Sequence, residues 1–211
     1  MFVIVLSAMM KRVLLAGLLG GLAMFVWESV AHMALPLGEA GIKALDNEPA
    51  MIAAVQQNVK GPGFYFFPAP ENRPGMTAEQ KHQAMQAAMN KIAAGPSGIM
   101  VITPTGMDPM TPTQLAIQFG TDVVLMLIAA FLVSHALAPA NFRRRAMFVA
   151  ILGLIPTLAV EIPYWNWYRF PGTYIAAQFI VHLVGFAVGG LVIARMIGTS
   201  AHLPAVREMA A

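Results

Sequence analysis

The chain has 211 residues, of which 58% are hydrophobic and only 11% charged, and its mean hydropathy is +0.66. Soluble domains carry roughly 25% charged residues, so this composition belongs to a chain that spends much of its length in lipid. The net charge is +3, with basic residues beside apolar runs rather than among aromatics, which excludes a nucleic-acid partner; with no cysteine, disulfides, thiolate metal sites and Fe–S clusters are excluded too.

Residues 1–35 hold a leader and the first apolar run, Val13 to Leu35, introduced by Lys11 and Arg12. Met10-Lys11-Arg12 makes a more ordinary start than Met1 and is the start expected here. A cleaved signal peptide is the rival reading, with Ser29-Val30-Ala31 as the cleavage site. The Gly17/Gly21 pair favours a retained helix, because small residues four apart let a second helix approach closely.

Residues 36–114 carry most of the acidic side chains and many of the Gly and Pro residues. They are expected to form a small α/β insertion outside the membrane. Two stretches share one plan. A helical pattern over 46–59 runs into Gly61-Pro62-Gly63 and the β-rich Phe64-Tyr65-Phe66-Phe67; a second over 78–94 runs into Gly95-Pro96-Ser97-Gly98 and Ile99-Met100-Val101-Ile102. This repetition points to an internal duplication whose strands pair in parallel through a right-handed crossover; chance likeness in a Gly- and Pro-rich loop is the alternative. Two strands do not stand alone in water, so the Phe64–Phe67 aromatics are expected to pack on the membrane surface or on the helix ends. Met76, Met85, Met89, Met100, Met107 and Met110 could hold Cu(I) through their thioethers, although apolar gap-filling is the commoner use of methionine.

Three further apolar runs follow at 115–138, 146–165 and 174–197, before a short tail, 198–211. Each is long enough to cross a bilayer, which takes about 20 residues. The expected fold is therefore an all-α membrane protein: a four-transmembrane-helix bundle with the insertion between its first two helices. Arg143-Arg144-Arg145 is the densest basic cluster, and Lys11, Arg12, Arg195 and Arg207 fall on the same side. The positive-inside rule makes that side cytoplasmic, with both termini in the cytoplasm and residues 36–114 extracytoplasmic. A bacterial-type inner membrane is the expected location. Trp165 and Trp167, in the aromatic connection Tyr164 to Phe170, and Trp27 are interface anchors of the kind found at headgroup level.

Ionisable residues inside the spans carry the functional signal, since a charge at bilayer depth costs at least ~2.5–3.5 kcal/mol and normally faces protein or water. Glu28 and His32, Asp122, Glu161, Gln178 and His182 all project into the outer third of the bilayer, at about 1.5 Å of rise per residue. At about 100° per residue, Gly17, Gly21, Glu28 and His32 share one stripe of the first span. Gln178, His182, Gly185 and Gly189 share one stripe of the fourth. Small residues and a polar pair on one face are what a close helix contact requires, so spans one and four are expected to be neighbours with their histidines facing. Gln118 and Asp122 form a similar pair on span two, and Pro156 is expected to kink span three.

Three chemistries fit this cluster. It could hold a divalent metal (Zn, Mn or Fe), or a haem between His32 and His182. It could relay protons. It could fix the bundle and bind a partner without turnover. No Gly-x-Ser-x-Gly, Walker loop or His-Glu-x2-His is present. The leading expectation is a binding or accessory membrane protein whose partners are the bilayer and other membrane proteins or further copies of itself. A metal- or haem-dependent enzyme or redox subunit is the first alternative, and a small transporter the second.

Overall fold

The computed structural model describes residues 2–108, 110–137 and 139–198. Arg207, and with it all but the first residue of the 198–211 tail, lies outside the described residues, as do Met1 and Ala138. The protein is mostly helical (69%), with a small two-strand sheet. It divides into two compact units: one is made of the chain's two ends, up to Ile42 and from Met110 on, and the other is Lys43–Pro109.

In the first unit, four stretches are long and apolar enough to cross a membrane: Met9–Met33, Pro112–Ala136, Phe142–Tyr168 and Gly172–Met196. They belong to helix α1 (Phe2–Met33), helix α4 (Pro112–Ala136), the composite of α5 (Phe142–Leu152), α6 (Leu154–Pro156) and α7 (Ile162–Tyr168), and helix α8 (Gly172–Met196). Multi-pass membrane insertion follows from their length and composition. Local sequence sets their starts. At α4, Thr111 accepts the Gln114 backbone N–H at 3.2 Å while the Gln114 side chain accepts the Thr111 N–H at 2.7 Å, a capping box completed by Pro112 in the first turn. At α5, the Asn141 side chain accepts the Arg144 N–H at 2.9 Å.

Helix α1 packs on both α4 and α8, and α8 packs on α5. Ala16, Met24, Met126, Ala129, Ala130, Val133, Val149, Phe186 and Ile193 are buried between them. Leu14, Leu18, Leu22 and Val26 on α1 and Val124, Ile128 and Phe131 on α4 remain exposed. An apolar exterior is the pattern lipid contact selects, because hydrocarbon gives apolar side chains no reason to turn inward.

Glycine decides which helices come close. A Cβ at Gly21 would stand 2.5 Å from the Val123 Cα, and one at Gly17 2.8 Å from the Leu127 Cα, so both glycines face the backbone of α4. The sequence stripe assigned them to span four; the helix lying on that stripe is α4. Gly20, one position over, is the α1 glycine that faces α8, its would-be Cβ 3.4 Å from the Gly189 carbonyl. On α8 the expectation holds, since Gly185 faces Met24 and Trp27 of α1, and Gly189 faces Gly20.

The third span has two interruptions to accommodate. Pro156 and Pro163 cannot donate backbone hydrogen bonds. Between them, Thr157–Glu161 winds as a π-helix, with the Ile162 N–H donating to the Thr157 carbonyl five residues back. The disturbance expected at Pro156 thus takes the form of a π-turn. At the other end of this span Arg145 is buried. Its Nη2 and Nε donate to the Ala194 carbonyl at 3.1 and 3.3 Å, and its Nη1 donates to the Ala140 carbonyl. A cation at the last turn of α8 complements the carbonyl end of that helix. Of the three basic residues read as one cytoplasmic cluster, Arg145 therefore also joins two helices.

The second unit contains α2 (Glu48–Asn58), β1 (Gly63–Phe67), α3 (Ala78–Ala94) and β2 (Gly98–Ile102). The expected parallel pairing is corrected: β1 and β2 run antiparallel, with Gly63 opposite Ile102, Tyr65 opposite Met100 and Phe67 opposite Gly98. A parallel pair needs its crossover helix packed across the sheet, whereas α3 buries only Ala88. The register is symmetric about Tyr65 and Met100. Two helix–strand copies related by a local two-fold would pair in this way. At the strand ends, the Phe67 ring lies 3.1 Å from where a Cβ at Gly98 would stand, so aromatic covers glycine. Phe64, Phe66 and Phe67 are exposed, and Met76 Sδ accepts the Arg73 N–H at 3.1 Å.

The glycine geometry gives a test. Gly21→Ala forces α1 and α4 apart and should cost about 1–3 kcal/mol, the usual penalty of overpacking. Gly185→Ala, whose new methyl would meet Met24 and Trp27 at 3.4 Å, should be tolerated. Thermal unfolding of the purified variants in one detergent reads the difference, and equal melting temperatures would remove α4 as the partner of this glycine face.

Candidate functional site

Three helices meet around a cavity of about 390 Å³. From α1 come Glu28, Ser29 and His32; from α4, Gln118; from α8, Gln178 and His182. Apolar wall is added by Phe25, Met33, Met110, Leu115 and Val181. The i, i+4 spacings Glu28/His32 and Gln178/His182 put each pair on one helix face.

Gln118 organises the polar wall. Its amide nitrogen donates to Glu28 Oε2 at 2.8 Å and to Asp122 Oδ1 at 3.0 Å. One NH2 group thus spends both protons on two carboxyl groups, one across the α1–α4 contact and one a turn along its own helix. Asp122 is fully buried behind Gln118, and its Oδ2 has no hydrogen-bond partner among the described residues. The close approach that Gly17 and Gly21 permit brings α4 near enough for this bridge.

The histidines are oriented differently. His32 Nδ1 lies 2.9 Å from the Glu28 carbonyl. A carbonyl only accepts, so Nδ1 carries the proton, and the neutral ring has Nε2 as an acceptor. Gly38 passes so close that a Cβ there would be 3.1 Å from the His32 ring, and Gly41, at φ +80°, lies against Thr173 and the Tyr174 N–H. Glycine suits both positions, the second also for its left-handed backbone. The loop after α1 is thereby folded against His32 and the start of α8. His182 Nδ1 is buried, with no hydrogen-bond partner among the described residues.

Trp27, assigned to the interface by sequence, also has a structural bond: its Nε1 donates to the Val181 carbonyl at 2.9 Å. Gly185 lies against that indole, its would-be Cβ 3.4 Å from the ring. Trp165 and Trp167 are exposed on α7.

Of the six polar residues singled out in the sequence, Glu28, His32, Gln178 and His182 line the cavity and Asp122 stands behind Gln118. Glu161 is not among the lining residues. It ends the π-turn, buried, with Oε2 unpartnered, as is Thr157 Oγ1 at the turn's start. Equal depth along the membrane normal is not proximity within the plane. Among the described residues no group of three or more His, Asp and Glu gathers as a metal ion would require. The hydrogen bonds give the reason: Glu28 and Asp122 each turn an oxygen to the same amide, and one ring nitrogen of His32 is bound to its own helix. Gln118 itself was visible in sequence only as a neighbour of Asp122; its bridging to Glu28 depends on the α1–α4 contact, which no sequence spacing encodes.

Comparison with protein-family models, with curated proteins and with solved structures finds no match for the chain.

Gln118→Leu removes both bonds and leaves two carboxyl groups without their donor. Hydrogen bonds to charged groups are worth about 1.5–3 kcal/mol each, so the variant should lose at least that much stability. Gln118→Asn, too short to reach both oxygens, should lose less. Unfolding of the three proteins by denaturant in mixed micelles would give the order, and a fully stable leucine variant would contradict the bridge.

Proposed function

We propose that the protein is an integral membrane protein of binding or accessory type, whose four spans form one bundle and whose His/carboxylate cavity in the outer half of that bundle is its working site. The carrying observation is the Gln118 bridge. It holds Glu28 and Asp122 together at the wall of a cavity open to His32, Gln178 and His182. Polar groups at bilayer depth are costly and usually mark a site. A purely structural cluster would satisfy its own members, yet His182 Nδ1 and Asp122 Oδ2 have no hydrogen-bond partner among the described residues.

The orientation we propose keeps both termini in the cytoplasm and residues 36–114 outside, in a bacterial-type inner membrane, with Trp165 and Trp167 at the outer interface. Lys11, Arg12, Arg143, Arg144 and Arg195 support it through the positive-inside rule. The bilayer is one partner, and other membrane proteins or a second copy are the others. A proton relay is the second reading, favoured by two carboxyls sharing one amide donor beside two imidazoles. The metal or haem enzyme has no gathered ligand set in its support.

Because the chain has no cysteine, orientation can be tested cleanly. Single cysteines at Met85→Cys and Arg143→Cys should divide. The first should react with a membrane-impermeant maleimide in intact cells, and the second only after lysis. The reverse pattern would invert the topology. For the site, untagged protein purified in mild detergent should carry a small molecule or a protein that a Glu28→Gln/His182→Ala variant has lost. Identical profiles from the two proteins would contradict a binding role. Stoichiometric metal or a Soret band lost in the variant would replace it by redox chemistry.

A further inference from the structure

The hydrogen-bond roles around the cavity restrict what can occupy it. No Lys or Arg lines it. Gln118 commits both amide protons to Glu28 and Asp122, leaving its Oε1 as an acceptor. His32 commits its Nδ1 proton to the Glu28 carbonyl, leaving Nε2 as an acceptor in the neutral ring. Ser29 donates its hydroxyl proton to the Phe25 carbonyl at 2.8 Å. Glu28, when ionised, only accepts. Gln178 and His182 also line the cavity and keep donors and acceptors of their own; the wall is thus rich in acceptors, and with both imidazoles neutral an ionised Glu28 makes it negative.

The rest of the lining is apolar. Phe25 is held edge-on against Phe119, with ring centroids 5.7 Å apart and planes at 78°, and Leu115 and Val181 continue the surface. The volume of about 390 Å³ lies within the range of roughly 300–1,000 Å³ typical of small-molecule sites. An anion would meet the Gln178 amide and one His182 N–H as donors but also the Glu28 carboxylate, whose charge repels it. A neutral alcohol has one proton to give to several acceptors. An ammonium group has three protons and the opposite charge.

We propose that this cavity binds a small primary amine in its protonated form, with the ammonium on Glu28, His32 and Gln118 and a short apolar tail on Phe25, Leu115 and Val181. The inference rests on the reading of the cavity as a ligand site. It adds the chemical class, and the two can fail separately.

The test uses the full chain in nanodiscs at neutral pH, with empty nanodiscs subtracted, and three probes sharing one tail: n-hexylamine, hexan-1-ol and hexanoate. The amine should saturate one site per chain, at least about tenfold tighter than the alcohol, as expected for a charge-assisted over a neutral hydrogen bond. Glu28→Gln keeps an acceptor for the Gln118 amide and should fold, which its melting temperature reports, yet it should lose about that same factor for the amine alone. Leu115→Trp, which fills the apolar side, should weaken every probe. Equal binding of amine and alcohol, tighter binding of hexanoate, or an amine affinity unchanged by Glu28→Gln would overturn the amine assignment while leaving a ligand site. Failure of all three probes to saturate would overturn the ligand site as well.

Discussion

A carboxyl group at bilayer depth has to find its hydrogen-bond partners within the protein, because hydrocarbon offers none. Here that requirement falls on a single amide. Gln118 donates to Glu28 on one helix and Asp122 on its own, and it reaches Glu28 because Gly17 and Gly21 let α4 lie against the backbone of α1. Packing and polarity are therefore one arrangement: without the glycines the bridge is out of reach, and without the bridge the contact would leave two acidic groups unserved. The cavity exists where this contact meets α8.

Helix α8 enters the arrangement by a different route. It has its own small-residue seam, Gly185 and Gly189, and a hydrogen bond from Trp27 to the Val181 carbonyl fixes its position along α1. Arg145 ties its far end to α5 through the Ala194 carbonyl. The α1–α4, α1–α8 and α5–α8 contacts thus each combine a close approach at glycine with at least one polar interaction, the combination expected where no hydrophobic difference between lipid and protein drives association.

Much of this was legible in the sequence. Hydropathy located all four apolar helices, because length and apolar content are properties of the segment itself. That Glu28, His32, Gln178 and His182 line one cavity, with Asp122 behind Gln118, was foreshadowed for the same reason, since helical rise converts residue number into position along a helix. What was not legible is in-plane geometry. The stripe of Gly17, Gly21, Glu28 and His32 announces that a helix approaches, but not which, and α4 rather than α8 lies there. Glu161 was grouped with the others by depth, but it does not line the cavity. Pro156 foretold a disturbance, while the π-turn that follows it depends on how the backbone settles the donors missing at Pro156 and Pro163. In the second unit, strand positions followed from local composition; their antiparallel direction is a tertiary outcome of a helix that packs too little to support a crossover.

The central claim is that Gln118 and Glu28 act as one unit across the α1–α4 contact. A double-mutant cycle with Glu28→Ala, Gln118→Ala and their combination, read as unfolding free energy in mixed micelles, tests it directly. Partners in contact give coupling of about 0.5–3 kcal/mol, whereas separated sites add to within ~0.5 kcal/mol. The account predicts coupling above about 1 kcal/mol, with the double variant less damaged than the sum of the singles. Strict additivity would mean that the two side chains do not meet, and the cavity as described would lose its organising contact.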